Sequence, residues 1–176
     1  MLYFKYLMTP PPSTTVYAPL QHQEIIHRIY TTIGASAEFR TSSPLNLQID
    51  GHGHMAVMFS RAFGFGLIRV QRIGTDTPAE IFRARHDLCE LAGADVVYLE
   101  LPLAQTGTPA MCNFAEEIGF FISGIGPHFA SDGDVLRLQY LNTEIDMNHI
   151  QIYNTFGKEL LTYIEKEKSR VDKQRQ

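Results

Sequence analysis

The stretch "VQRIGTDTPAE", residues 70 to 80, decides how this chain is read. It closes the apolar run "LIRVQRI" at 67 to 73, whose branched residues favour a strand, and then meets Gly74 and a polar turn. Thr77, Pro78 and Glu80 next spell a T-P-x-E capping box, with proline at the first helical position where its missing amide costs least. A strand that passes through a glycine turn into a helix start is the geometry that aims backbone amides at an anion. The same residues suit a helix start with no ligand, so a phosphate-cradling loop and a capped helix both stand as readings.

The flanking segments place this unit in a sheet. Upstream, "QHQEIIHRIYTTI" at 21 to 33 carries Ile25, Ile26, Ile29, Tyr30 and Ile33 at helical spacing, with Gly34 as its stop. Three antiparallel strands are expected next: "LNLQID" at 45 to 50, "MAVMFSRA" to Ala62 after a "GHGH" turn, and "LIRVQRI" after "FGFG". A helix from Pro78 to Ala92 ends at Gly93, and "DVVYLEL" at 95 to 101 forms the following strand. Pro109 to Ile118 is a second helix ended by Gly119, and "FFISGI" and "VLRLQYL" pair around "ASDGD", with "GIGP" allowing a bend. Ile150, Tyr153, Phe156, Leu160, Leu161 and Ile164 make one stripe of a terminal helix, while the charged tail "EKEKSRVDKQRQ" reads as solvated. The stripe must cover either the domain or a partner, which makes a homodimer through the C-terminal helix an expectation.

This order predicts an α/β (α+β) fold, a mixed and mostly antiparallel sheet flanked by helices with an extra C-terminal helix. Residues 1–14 read as a strand or arm, 15–142 as the domain, and 143–176 as the helix and tail. The 176 residues suffice for one core, and a net charge of −4 gives no electrostatic footprint for nucleic acid. The apolar opening "MLYFKYLM" is interrupted by Lys5 and ended by the prolines, too short for a membrane span. Cys89 and Cys112 each sit in an apolar helical pattern outside any CxxC, as core thiols of a reducing, cytoplasmic setting would.

The residues "IRVQRIGTD", "LELPL", "EEIGFFISGIGP" and "GDVLRLQYLN" together resemble the GNAT acetyltransferase superfamily. They are most similar to a GNAT-like module found in bacteria beside or fused to anti-sigma-factor-type ATPase domains. The resemblance covers about residues 15 to 142. It implies a central strand leading through a pyrophosphate loop into a helix, and a next strand that splays to admit acetyl-CoA or another acyl-CoA. The family's Q/R-x-x-G-x-G/A pattern falls on Gln71, Arg72, Ile73, Gly74, Thr75 and Asp76, so cofactor contacts are implied for Val70, Gln71, Arg72, Ile73, Gly74 and Thr75. Asp76 departs from the small residue of the pattern and puts a carboxylate where a phosphate approaches. Ala115 stands where many members carry the tyrosine that protonates the leaving thiolate.

Glu100 and Tyr98 alternate onto one face of "DVVYLEL" and are the remaining candidates for base and acid. The competing reading has Tyr98 packing in its strand and Glu100 paired with an arginine. Arg69, Arg72, Arg83 and Arg85 cluster around the loop, for phosphates or for pairs with Glu80, Asp87 and Glu90. His52 and His54 in "DGHGH", with Asp50, offer two metal donors but no third among His22, His27, His86, His128 and His149, so no metal site is expected. No GxGxxG, GxSxG or HExxH occurs. Two readings follow from the resemblance: an acyl-CoA-dependent N-acyltransferase of GNAT type, and a non-catalytic ligand- or protein-binding regulatory module working with an anti-sigma-type ATPase partner.

Overall fold

The computed structural model of the chain describes residues 13–42, 49–144 and 150–174. Strand β1, Thr14–Val16, pairs in parallel with β2, Ala37–Phe39, and between them runs helix α1, Gln23–Ile33. Ile25, Ile26, Ile29 and Tyr30 make the buried side of α1, and Gly34 ends it at a φ of 71°. A hairpin of β3, His54–Ser60, and β4, Phe65–Arg72, leads into helix α2, Thr77–His86, whose last turn widens into a π-helical segment at Asp87–Leu91. Strand β5, Val96–Pro102, helix α3, Thr108–Glu117, and the hairpin of β6, Phe121–Ala130, and β7, Gly133–Leu141, follow. Helix α4, Thr155–Gln174, closes the chain.

The main sheet has the order β3-β4-β5-β7-β6 and is antiparallel except between β4 and β5. That parallel pair exists because α2 carries the chain back to the starting edge, as a crossover between parallel strands must. The period of two sorts the residues of the central strands. Ile68, Val70, Val97, Leu99, Leu101, Leu136 and Leu138 enter one continuous core with Ile81 and Leu88 from the α2 region and Cys112 and Ala115 of α3. Leu67, Arg69, Tyr98 and Arg137, on the other face, are half-buried.

Most of the expected elements are present, with informative differences. Of the strand expected at 45 to 50, residues 45–48 lie outside the described residues, and Ile49 and Asp50 are in no strand. The "GIGP" bend is a pair of register shifts in β6, one between Ile122 and Gly124 and one between Gly126 and Ala130. The expectation of a solvated tail is wrong: α4 runs unbroken to Gln174 and buries Glu167 and Val171. The heptad-like spacing of Gly157, Leu160, Ile164, Glu167 and Val171 keeps one side of α4 against the chain's own α3 and β6. Tyr153 and Ile150 precede the helix and are 94% and 41% exposed, so they leave the stripe. Among the described residues no helix is long and apolar enough to cross a membrane.

Ile164→Ala is therefore expected to cost about 2–5 kcal/mol in denaturant unfolding, and Tyr153→Ala no more than about 0.5 kcal/mol. Equal losses at the two positions would contradict the placement of α4.

Candidate functional site

The region of the expected cofactor loop is organised by a gap in the sheet. The β4–β5 ladder runs from Phe65 opposite Val96 to Arg69 opposite Glu100 and stops, although β4 continues to Arg72 and β5 to Pro102. Backbone groups beyond that point need other partners. Gln105, in the turn after β5, supplies them: its Oε1 accepts from the Ile73 amide at 2.9 Å and its Nε2 donates to the Gln71 carbonyl at 2.8 Å. A carboxamide thus completes the edge of β4 as a neighbouring strand would.

The next amides are also taken. Gly74 N–H donates to Thr77 Oγ1 at 2.8 Å, and Thr75 N–H donates to the Gly51 carbonyl at 3.0 Å. This is why the expected capping box does not form. Thr77 is buried as the first residue of α2, with its hydroxyl oxygen turned back to the loop, and Glu80 pairs with Arg83. The repeated Thr-Pro at Thr108 behaves similarly, its hydroxyl donating to the Pro102 carbonyl.

The segment Gly51–Gly53 lies directly on this loop. A Cβ at Gly74 would collide with the Gly53 amide nitrogen, and one at Gly53 would collide with Thr77 Oγ1, so both positions need glycine for close approach. Asp76 clamps the contact: Oδ1 accepts from Gly53 N–H at 2.6 Å, and Oδ2 lies 2.9 Å from His52 Nδ1. Arg72 donates to the His52 carbonyl at 2.7 Å. The Gly53 hydrogen bond, aided by His52, holds the Asp76 carboxyl below the usual aspartate range. Of the two histidines considered for a metal, His52 thus faces Asp76, while His54 opens β3 on the exposed side.

Glu100 and Tyr98 share a face, as alternation requires. Glu100 is fully buried with its carboxylate shared by two arginines: Arg69 Nε donates to Oε2 at 2.6 Å, and Arg137 reaches Oε1. Arg137 also lies over the Tyr98 ring at 5.4 Å and the Phe129 ring at 5.3 Å. Both carboxylate oxygens are thus engaged by guanidiniums inside the chain. The competing reading of Glu100, pairing with an arginine, is the one the geometry matches. Of the other arginines, Arg85 donates to the Ile118 carbonyl at 2.8 Å and stacks on Phe82 and Tyr140, away from the loop.

A second polar constellation, unforeseen in the sequence, lies beneath α4. His22, in the short 3-10 turn before α1, is fully buried and meets Glu116 Oε1 through Nε2 at 2.6 Å and Tyr163 Oη through Nδ1 at 2.8 Å. Arg170 joins Glu116 Oε2 at 2.8 Å and Glu167 at 2.7 Å. Cys112, one turn before Glu116 on α3, places Sγ 3.9 Å from Oε1. Burial pushes the Cys112 thiol well up, and the Glu116 charge adds to it. For Glu116 itself burial acts upward, but its bonds to His22 and Arg170 outweigh it and hold the carboxyl low. The available signal was the i, i+4 spacing of Cys112 and Glu116; the contribution of His22, nearly a hundred residues away, depends on the fold. Gln105 carried no signal beyond its place in a turn. No protein-family model matches the chain, and no curated protein matches it at a significant level.

Because the folded state lowers the Asp76 pKa, the clamp contributes fully above the unfolded-state pKa and is lost as pH falls through the folded one. The Gly53 amide resonance is expected to titrate below the usual aspartate range, and to lose that titration in Asp76→Asn. A midpoint at or above the ordinary value would contradict the clamp.

Proposed function

We propose that this chain is a GNAT-like module that works by recognition rather than acyl transfer: a ligand- or protein-binding regulatory domain beside an anti-sigma-type ATPase partner, in a cytoplasmic setting. The strand order supports the GNAT-like part of this reading. A parallel β4–β5 pair opens beyond Arg69 and Glu100, and β4 passes through Gly74 into α2, as the resemblance implies.

One observation carries the departure from catalysis. The resemblance assigns the amides of Arg72 to Thr75 to a pyrophosphate, and those of Ile73, Gly74 and Thr75 each donate to an acceptor within the chain. An anion there must displace Gln105, Thr77 and Gly51 and also face the Asp76 carboxylate, with desolvation and repulsion both against it. The chemistry beyond binding is depleted in the same direction. Ala115, at the tyrosine position, is fully buried, and Glu100 is neutralised by Arg69 and Arg137.

The acyltransferase reading keeps one favourable observation, the opening of the β4–β5 pair. It requires the Gly51–Gly53 segment and Gln105 to withdraw when acyl-CoA enters.

Calorimetric titration with acetyl-CoA and with CoA separates the two. No saturable heat is expected at millimolar ligand, whereas binding in the micromolar range would overturn the recognition reading. In that event Asp76→Gly should bind more tightly, by removing a carboxylate from the place of the pyrophosphate.

A further inference from the structure

Three donor atoms of different elements converge beneath α4. A ring nitrogen of His22, Sγ of Cys112 and a carboxylate oxygen of Glu116 lie within 4.8 Å of one another, and all three residues are buried. Glu116 Oε1 is their common neighbour, 2.6 Å from His22 Nε2 and 3.9 Å from Cys112 Sγ. The other polar atoms of these groups point elsewhere and are already engaged. The Tyr163 hydroxyl donates to the Gln21 carbonyl at 2.9 Å, so its oxygen is free to accept Nδ1–H of His22 at 2.8 Å. Glu116 Oε2 accepts from Arg170 at 2.8 Å and from Gln21 Nε2 at 3.2 Å.

We propose that His22, Cys112 and Glu116 bind one zinc-class divalent ion. An imidazole held by its second nitrogen and a carboxylate held by its second oxygen are how metal ligands are oriented by their outer neighbours. The donors need to close on a centre about 2.0–2.3 Å from each, a side-chain adjustment from their present spacing. A nitrogen, sulfur and oxygen set suits zinc and excludes magnesium and calcium, which take oxygen ligands. A water molecule takes the fourth position. Binding forms bonds to Nε2, Sγ and Oε1, and releases to solvent the thiol proton of Cys112 and any proton on Nε2; nothing is oxidised or reduced. The thiolate and the Glu116 carboxylate then balance the ion, and Arg170 remains balanced by Glu167 at 2.7 Å. Because His22 lies in the turn before α1 and Cys112 and Glu116 lie on α3, the ion would tie that turn to α3, with Tyr163 and Arg170 of α4 as outer neighbours of its ligands. This site is independent of the loop at Gly74.

The test uses the full chain, stripped with a chelator and loaded with zinc against a chromophoric competitor, and with cobalt as a spectroscopic probe. One zinc per chain is expected, with affinity rising with pH as the displaced protons become easier to remove. Cys89→Ser leaves Cys112 as the sole thiol, so a thiolate-to-cobalt band in that variant identifies the ligand without any change to the cluster. Cys112→Ser should abolish the band, and Tyr163→Phe should weaken zinc about 10–100-fold, as loss of an outer hydrogen bond does. A folded Cys89→Ser protein that shows no cobalt–thiolate band and retains no zinc would overturn the proposal. So would zinc binding unchanged in folded Cys112→Ser.

Discussion

A parallel strand pair that parts before its ends leaves backbone donors and acceptors with no ladder partner, and buried groups of that kind must be satisfied somewhere. Here the ladder stops at Arg69 and Glu100, and the surroundings of the loop follow from how the gap is closed. Gln105 bridges Gln71 and Ile73, which fixes the turn after β5 close to β4. Thr77 turns its hydroxyl back to Gly74, which sets the start of α2. Gly51 accepts from Thr75, and Asp76 holds Gly53, so the segment before β3 is seated on the same loop. A place that could have been open to a ligand is closed by the chain's own polar groups.

Two of the buried carboxylates away from the loop, Glu100 and Glu116, are handled alike. Glu100 is shared by Arg69 and Arg137, and Glu116 by Arg170 and His22. In each case a charge removed from water has more than one donor, which such a burial requires. The consequences differ because the settings differ. Around Glu100 the guanidiniums make an ion cluster on the half-buried sheet face. Around Glu116 the partners come from the turn before α1 and from α4, so the carboxylate ties the terminal helix to the domain.

Local patterns made the fold legible, and partners distant in sequence hid the site. Helical spacing and terminal glycines marked α1 and the α2 and α3 ends, and alternation marked β4, β5 and β7, because those signals act within a few residues. The strand, Gly74 and the helix start of "VQRIGTDTPAE" were equally visible. What the loop's amides do was not, since their acceptors are Gln105, Thr77 and Gly51, and two of those three lie well outside the stretch. The Thr-Pro-x-Glu pattern misled for a related reason: Thr77 Oγ1 had a buried acceptor role to fill in the loop, which took it away from capping. The tail misled through composition. Glu167, Arg170 and Val171 look solvated as a string of letters, but at helical spacing they share one side of α4, where the two charges pair and the valine is buried.

The central claim, that the loop amides are bonded within the chain, is tested most directly by hydrogen exchange at Ile73, Gly74 and Thr75 in the ligand-free protein. Protection comparable to that of the paired amides of β4 is the predicted result. Exchange at the rate of an exposed turn would contradict it and return the loop to the role of an anion cradle.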